Sequence, residues 1–183
     1  MTANQRAVLA SIEQLYADMG QNTYGEGITQ TEHGVQCAEL ARRAGENPAL
    51  ITAALLHDIG HLLEQVSAEH GNFRHDQVGA EYLLPLFGPE VAEPVRLHAQ
   101  AKRYLCTVEE GYLACLSEAS VFSLKHQGGM MTDAEVASFR QEPHFEAALK
   151  LRRWDDEGKD PELASLPFSR YGEFMQAALI HDC

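Results

Sequence analysis

Histidine and carboxylate side chains recur along this chain at positions where they could bind metal ions. The dipeptide His57-Asp58 directly follows the apolar run Ala54-Leu55-Leu56, where a charged carboxylate is costly unless it is paired or metal-bound. His61 follows four residues after His57, so one continuous helix would place both on the same face. Imidazole and carboxylate groups together suit iron, manganese or zinc. The pattern predicts a two-metal centre formed by His33, His57, Asp58, His75, His98 and Asp155.

The same residues indicate how two ions would be shared and where a substrate would bind. Asp58 is predicted to bridge the ions, because it is adjacent to a ligand histidine. Lys102 lies four residues after His98, so both side chains point from one helix face to the same place. Glu26 lies in a glycine-flanked loop that is suited to a lid. We expect one ion on His33, His57, Asp58 and Asp155, and the other on Asp58, His75 and His98.

The elements that must position these residues have helical patterns almost throughout. Apolar residues recur at helical spacing, and no alternating strand pattern of useful length is found. Thr29 with Glu32 has the spacing of a capping box, and Asn47-Pro48 is typical of a helix start. The predicted fold class is all-α, a bundle-like single domain over residues 1–183. Helices are predicted at 4–19, 29–45, 49–65, 75–86, 89–100, 109–126, 143–158 and 170–180.

Composition and charge narrow the class of protein. The 183 residues suit one domain, and the 45 % of hydrophobic residues are enough for a core without disulfides. The formal net charge of −13 argues against a nucleic-acid partner, because phosphate-backbone binding depends on clustered Lys and Arg. No apolar run is long enough to span a membrane. The four cysteines form no CxxC pair and no secretory leader opens the chain, so a cytoplasmic location is expected.

The histidine and aspartate set resembles the motif of the HD-domain superfamily over about residues 29–158. The segments AALLHDIGH, HAQAKRYL and RRWDDEGK are similar to those of the mixed-valent diiron oxygenases within that superfamily. The closest resemblance is to the branch that cleaves the carbon–phosphorus bond of 1-hydroxy-2-aminoethylphosphonates, including the N-trimethylated form. The resemblance implies packed helices, two irons in the Fe(II)/Fe(III) state, O2 as co-substrate, and phosphate with glycine or glycine betaine as products.

The resemblance also implies roles around the phosphonate end of the substrate. Asp58, His61 and Lys102 are expected to be the catalytic residues. Of these, His61 and Lys102 match residues that contact the phosphonate. Ser120 and Gln127 match residues that lie near it. A dianionic phosphonate in an acidic chain requires local positive charge, which Lys102 and the metals would supply.

At the amine end of the substrate the resemblance is less regular. Glu26 matches an acidic loop residue that meets the substrate amine. The family's tyrosine, which can cap an iron before substrate arrives, falls on Thr23 when Glu26 is aligned. Tyr24 is one place away and is the alternative assignment for this lid position. The sequence leaves open whether the substrate carries a free amine or a trimethylammonium group, and which enantiomer is used.

Ligand types alone leave other functions open. A metal-dependent phosphohydrolase that acts on a nucleotide or phosphate ester would use the same six ligands to hold a hydroxide nucleophile. A catalytically inactive HD module with a binding or regulatory role is a third interpretation, although all six positions are filled. Lys102, the QGG segment and the acidic loop favour the oxygenase. The sequence leaves the oligomeric state open, a monomer included.

Overall fold

The computed structural model describes residues 2–23, 27–63, 74–163 and 166–180. Within these residues the chain forms eleven α-helices and one 3-10 turn, and it contains no β-strand. The all-α prediction is confirmed. The helices are α1 (Ala3–Met19), α2 (Gln30–Arg43), α3 (Pro48–Leu56), α4 (Ile59–Leu63), α5 (His75–Phe87), α6 (Pro89–Val108), α7 (Tyr112–Cys115), α8 (Glu118–His126), α9 (Asp133–Phe139), α10 (Phe145–Glu157) and α11 (Gly172–Ala178), and the 3-10 turn is Phe168–Tyr171.

Local hydrogen bonds explain where two of the central helices begin. Before α2, Glu32 N donates to Thr29 Oγ1 at 3.2 Å, and Thr29 N donates to the Glu32 carboxylate at 2.8 Å. Before α3, Leu50 N donates to Asn47 Oδ1 at 2.9 Å, and Pro48 occupies the first turn, where its missing N–H is not needed. Both predicted helix starts are confirmed.

The expected continuous helix over residues 49–65 is interrupted, and this prediction was wrong. α3 ends at Leu56 and α4 begins at Ile59, so the two residues between them form a turn. The interruption lets α4 turn onto α5, where Gly60 lies against the backbone of His75. Tertiary packing therefore overrides the helical pattern at this point.

Two other predicted boundaries differ from the structure. α6 continues past its predicted end near residue 100 as far as Val108, because Tyr104 and Leu105 are buried and extend its packed face. The segment predicted as one helix over residues 109–126 is divided into α7 and α8. α8 begins after Ser117, whose Oγ accepts a hydrogen bond from Ser120 N at 3.2 Å.

α3 is the central element of the fold. Every residue from Leu50 to Leu56 is buried, and the helix packs against α2, α6, α10 and α11. Each fully buried leucine in such a helix contributes about 1.5–3 kcal/mol of transfer free energy. Because α3 is enclosed on all sides, the turn that follows it is held inside the fold.

Two further features concern the described residues only. No helix there is both long and apolar enough to cross a membrane.

Cys37, Cys106 and Cys115 are free thiols, and they form no disulfide bond.

Candidate metal centre

Five elements bring the six predicted metal ligands together. α2 carries His33, the turn between α3 and α4 carries two ligands, and α5, α6 and α10 carry one each. Five of the six side chains are buried, and the Asp58 side chain is partly buried. Asp58 occupies the turn because the helix breaks there, which frees its carboxylate to face several elements at once.

Three histidines are oriented by backbone carbonyls. In each case ring atom Nδ1 lies within hydrogen-bond distance of a carbonyl oxygen, to which it can only donate, and Nε2 faces the centre. This arrangement fixes both the tautomer and the ring orientation of a metal-binding histidine. The bonds join His33 to Gly158 at 2.8 Å, His57 to Ala54 at 2.9 Å and His98 to Val95 at 2.6 Å.

The Asp58 carboxylate lies between two pairs of histidines. Its Oδ2 is 3.8 Å from His33 Nε2 and 3.5 Å from His57 Nε2. Its Oδ1 is 3.4 Å from His75 Nε2 and 3.8 Å from His98 Nε2. Each oxygen therefore faces its own pair, which is the geometry of a carboxylate that bridges two cations.

Asp155 completes the first of these groups. Its Oδ1 lies 3.2 Å from His33 Nε2 and 3.8 Å from His57 Nε2. Burial raises the pKa of Asp58, but the adjacent His57 and His75 lower it more, and the net pKa is well below its ordinary value. The centre therefore places two ionised carboxylates among four imidazoles.

The donor atoms fit bound metal ions. His57 Nε2 is buried and has no hydrogen-bond partner among the described residues, and His75 Nε2 lies only 3.0 Å from His98 Nε2. Ligand atoms about 2.1 Å from one ion lie about 3.0–3.5 Å apart, which is close to the separations seen in both groups. Burial lowers the pKa of His57 and of His98, so both rings are neutral, the form that binds a metal.

Cys37 lies beside His33 and is a competing donor. Its Sγ is 3.7 Å from His33 Nδ1, on the side of the ring that bonds Gly158, and it donates to the carbonyl of Trp154 at 3.2 Å. Burial raises the pKa of the Cys37 thiol. Cys37 therefore packs behind the His33 ring, whose Nε2 atom faces the carboxylates of Asp58 and Asp155 on the other side.

Arg152 is a buried cation that the sequence patterns did not single out. Its guanidinium donates to the carboxylates of Asp155 and Asp156, and its Nε donates to Tyr112 Oη at 3.1 Å. Burial raises the pKa of Asp155, but Arg152 and then Lys159 lower it to well below its ordinary value. Arg152 therefore orients an ionised ligand. Arg152 lies three residues before Asp155 and four before Asp156, and this spacing was the signal in the sequence that could have identified it. The same spacing is also typical of a solvated helix end.

Lys102 lies on the next turn of α6 after His98, beside α8. Its Nζ donates to Ser123 Oγ at 2.6 Å, and burial, followed by the charge of Arg152, lowers the pKa of Lys102 to about 8. Ser120, one turn before Ser123, is buried as well. Gln127 ends α8, and both polar atoms of its amide are buried without a hydrogen-bond partner in the described part of the chain. A buried amide in this state needs a polar partner, which a ligand would provide.

His61 is separated from His57 by the break between α3 and α4. The two residues therefore do not share the face of one continuous helix, as the sequence had suggested. Instead the His61 ring stacks on the ring of His75, with centroids 4.0 Å apart and an interplanar angle of 20°. Burial, followed by the charge of His75, lowers the pKa of His61 to about 3, so the ring is neutral at pH 7.

Most of the residues predicted to bind the amine end of the substrate lie outside the residues that the structure describes. Tyr24 and Glu26 are outside the described residues. Thr23 is described and is exposed. The alternative between Thr23 and Tyr24 for the lid position therefore stays a prediction.

A match to a known family covers the part of the chain that carries most of the centre. The model of the HD domain matches residues 31–124, more than half of the chain. Five of the six predicted ligands fall within this range, and Asp155 follows it. The chain belongs to the HD-domain family, as its motifs predicted.

Three relatives place it more narrowly. It is 44 % identical over 178 residues to hydroxymethylphosphonate dioxygenase of Gimesia maris, which covers 94 % of this chain and 89 % of the relative. It is 35 % identical over 182 residues to the glycine-betaine-forming 1-hydroxy-2-(trimethylamino)ethylphosphonate dioxygenase of Leisingera caerulea, with 94 % and 91 % covered. It is 37 % identical over 172 residues to an uncharacterised protein of Acanthamoeba polyphaga mimivirus, with 90 % and 78 % covered. The predicted relationship to phosphonate-cleaving oxygenases is confirmed.

Proposed function

We propose that this chain is a diiron dioxygenase that uses O2 to cleave the carbon–phosphorus bond of a 1-hydroxyalkylphosphonate. Two relatives are named phosphonate dioxygenases, and these names favour an HD-domain oxygenase over an HD-domain phosphohydrolase. The irons would be held by the six residues of the candidate centre. Two irons would bind O2 and withdraw electrons from the substrate.

The observation that carries this proposal is the position of Asp58 relative to the buried cation Lys102. The two oxygens of Asp58 face separate histidine pairs, and one of those pairs includes His98. Lys102 lies on the next turn of α6 after His98, is 3 % exposed, and donates a hydrogen bond to Ser123 in the middle of α8. A two-metal site with a buried ammonium beside it suits a substrate that is dianionic close to its reacting carbon.

The substrates named for the two relatives share one chemical group. Both names describe a hydroxyl-bearing carbon bonded directly to phosphonate. Oxidation of that carbon to a carboxylic acid breaks the carbon–phosphorus bond and releases phosphate. Each product gains one oxygen atom relative to the substrate, which a single O2 supplies. We therefore propose hydroxymethylphosphonate and the 2-amino and 2-trimethylammonio derivatives of 1-hydroxyethylphosphonate as the substrate class.

Four side chains would bind and orient the phosphonate end. The Lys102 ammonium would pair with a phosphonate oxygen, and Ser120 and Gln127 would donate hydrogen bonds from α8. His61, which is neutral and stacked on the ligand His75, would contact the phosphonate, as the sequence resemblance implies. The buried setting excludes water, which strengthens these contacts. Glu26 and Tyr24 are proposed for the amine end on the sequence resemblance alone.

The test combines metal reconstitution with two product assays. Metal-free protein would be loaded with Fe(II), Mn(II) or Zn(II) and supplied with each of the three hydroxyphosphonates as separated enantiomers where they exist. We expect O2 uptake and phosphate release in a one-to-one ratio, and only with iron. An EPR signal from an antiferromagnetically coupled Fe(II)/Fe(III) pair should accompany activity.

Asp58→Asn and Asp18→Asn form a matched pair for this test. Both remove one carboxylate, but Asp18 is exposed at the end of α1 and lies outside the centre. Asp58→Asn should lower iron content and abolish O2 uptake, while Asp18→Asn should retain both. Phosphate release without O2 uptake, or turnover with zinc, would instead support the phosphohydrolase.

We also propose one HD domain over residues 1–183, with a metal-binding core at about 29–158. α11 packs on α3, and α1 contacts both α2 and α11. The helices before and after the core therefore pack on its central elements.

A further inference from the structure

The turn that follows α8 is bound to α6 by Arg103, the residue directly after Lys102. Arg103 Nε donates to the carbonyl of Gly129 at 2.9 Å, and the same guanidinium donates to Glu135 Oε1 in α9 at 2.7 Å. The Arg103 side chain is only 15 % exposed. Because a guanidinium is a rigid planar fork, one side chain fixes the turn to α6 and to α9 at once.

Thr107 adds a second contact one turn further along α6. Its Oγ1 accepts a hydrogen bond from Met131 N at 2.7 Å and donates to the carbonyl of Arg103 at 2.8 Å. On the α9 side, Thr132 N donates to Glu135 Oε2 at 2.8 Å. These bonds join α6 and α9 to backbone atoms of the connecting segment, so they fix the path of the chain itself.

Two glycines let the chain make this turn. Gly128 and Gly129 have positive φ angles of 104° and 69°, a conformation that favours glycine. Gly129 N donates to the carbonyl of Leu124 at 2.9 Å, so α8 ends with the long bond of a Schellman motif. A Cβ atom at Gly128 would lie 3.4 Å from the guanidinium of Arg103, which therefore packs directly on the backbone there. The end of α8 is thus held against α6.

Gln127 is the last residue before this turn, and it lies on the face of α8 that meets Lys102. Ser123 precedes it by four residues, so the two side chains share that face, and Ser123 Oγ accepts a hydrogen bond from Lys102 Nζ at 2.6 Å. Both polar atoms of the Gln127 amide are buried without a hydrogen-bond partner among the described residues. An amide NH2 is a donor, so beside a buried ammonium it is complementary to an anion.

We propose that Arg103 is a positioning residue for phosphonate binding. By holding the turn of Gly128 and Gly129 against α6, it sets the Gln127 amide to donate to the anionic group that Lys102 binds. The assignment rests on the proposed function, because that function places the phosphonate beside Lys102. Consecutive residues of α6 then have different tasks: Lys102 binds the anion, and Arg103 places a second donor from α8.

A double-mutant cycle separates positioning from a general structural role. Iron-loaded protein without oxygen would be titrated with inorganic phosphate by calorimetry, for wild type, Arg103→Met, Gln127→Ala and the double variant. Gln127→Ala removes a hydrogen bond to a charged ligand, so phosphate binding should weaken about 10- to 100-fold. Arg103→Met should weaken it about 10-fold when Gln127 is present, and less than about 2-fold when Gln127 is already alanine.

Arg96→Met is the matched control. Arg96 also lies on α6 and also pairs with an acidic residue beyond the turn, Glu142 at 3.2 Å, but its second partner is Glu93 on its own helix. This variant should keep the phosphate affinity and the iron content of wild type. Arg103→Lys retains a charge for Glu135 but lacks the fork, so it should restore part of the affinity. The same cycle is run with Arg103→Lys if Arg103→Met does not fold.

Kinetics and metal content complete the test. We expect Arg103→Met to raise KM for hydroxymethylphosphonate by about the same factor as it weakens phosphate binding, with iron content unchanged. An unchanged phosphate affinity in Arg103→Met would overturn the proposal, as would the absence of phosphate binding to wild type. An equal loss with and without Gln127, or a loss of iron, would also overturn it, because Arg103 would then support the fold as a whole. Wild-type affinity in Gln127→Ala would show that the amide does not meet the anion, which is equally fatal.

The two proposals fail in different ways. If wild type oxidises no hydroxyphosphonate but phosphate binding shows the coupling of Arg103 to Gln127, the proposed function fails and the positioning role stands. If wild type consumes O2 with a hydroxyphosphonate and the cycle shows no coupling, the positioning role is wrong and the function stands.

Discussion

Gly60 lies where α4 crosses the start of α5, between two residues of the candidate site, Asp58 and His61. A Cβ atom at Gly60 would lie 2.0 Å from the backbone oxygen of His75 and 2.8 Å from its Cα. Real Cβ atoms essentially never approach within 3.0 Å, so Gly60→Ala forces the two backbones apart by at least 1.0 Å, the difference between 3.0 and 2.0 Å. A backbone carbonyl cannot rotate away as a flexible side chain would.

The energetic cost of this change can be set against its benefit. Overpacking costs about 1–3 kcal/mol, and a rigid backbone contact favours the upper end. Alanine in a helix gains about 1 kcal/mol over glycine. The net destabilisation of Gly60→Ala is therefore about 2 kcal/mol, which lowers the melting temperature of a chain of this length by about 4–8 °C.

The effect on metal binding should be larger than the effect on stability. Ligand distances tolerate errors of about 0.2 Å, and the forced displacement of His75 is about five times that. We expect the ion bound by Asp58, His75 and His98 to be lost while the other is retained, so that iron content falls from about two to about one per chain. Metal analysis and thermal unfolding monitored by circular dichroism measure both quantities.

Gly172→Ala is the matched control for this substitution. Gly172 begins α11, and a Cβ there would meet only the Glu13 carboxylate, at an ordinary 3.7 Å. This variant should leave iron content unchanged and raise stability by about 0.5–1 kcal/mol. If Gly60→Ala also keeps two irons and the wild-type melting temperature, the packing of α4 on α5 does not position His75 as argued.

Two further predictions concern buried cations. Arg152→Leu leaves Asp155 and Asp156 without their guanidinium partner, so urea unfolding should show that the free energy of unfolding falls by about 3–5 kcal/mol. Arg152→Lys should lower it less. A decrease below about 1 kcal/mol in Arg152→Leu would contradict the buried network. Lys102 binds an anion only when protonated and its pKa is lowered to about 8, so kcat/KM for a hydroxyphosphonate should fall as pH rises through about 8. Lys102→Arg should extend the plateau to higher pH, and an unchanged profile in that variant would assign the pH dependence to another group.

Helix starts were predictable because they depend on neighbours in the chain. The capping bonds at Thr29 and Asn47 span three residues, and the sequence contains both partners of each bond. Helix interruptions were not predictable in the same way. The break after Leu56 follows from the approach of Gly60 to His75, which no local pattern records. The extension of α6 to Val108 likewise depends on what packs against its later turns.

The sequence by itself determined the family, the all-α class and the residue types of the candidate centre. Histidines and aspartates in apolar helices are costly unless they bind something, so their presence carries information without a structure. Lys102 was also selected, because its spacing from His98 is local. Arg152 was missed, because in the run RRWDDEGK it has the pattern of a solvated helix end.

Only the tertiary structure decided how these residues are arranged. Asp58 faces two histidine pairs because α2, α5 and α6 converge on the turn that contains it. His33 is oriented by the carbonyl of Gly158, 125 residues away. Such contacts depend on packing between helices that are far apart in the chain. The sequence did not reveal them because no short-range spacing of residues encodes that packing.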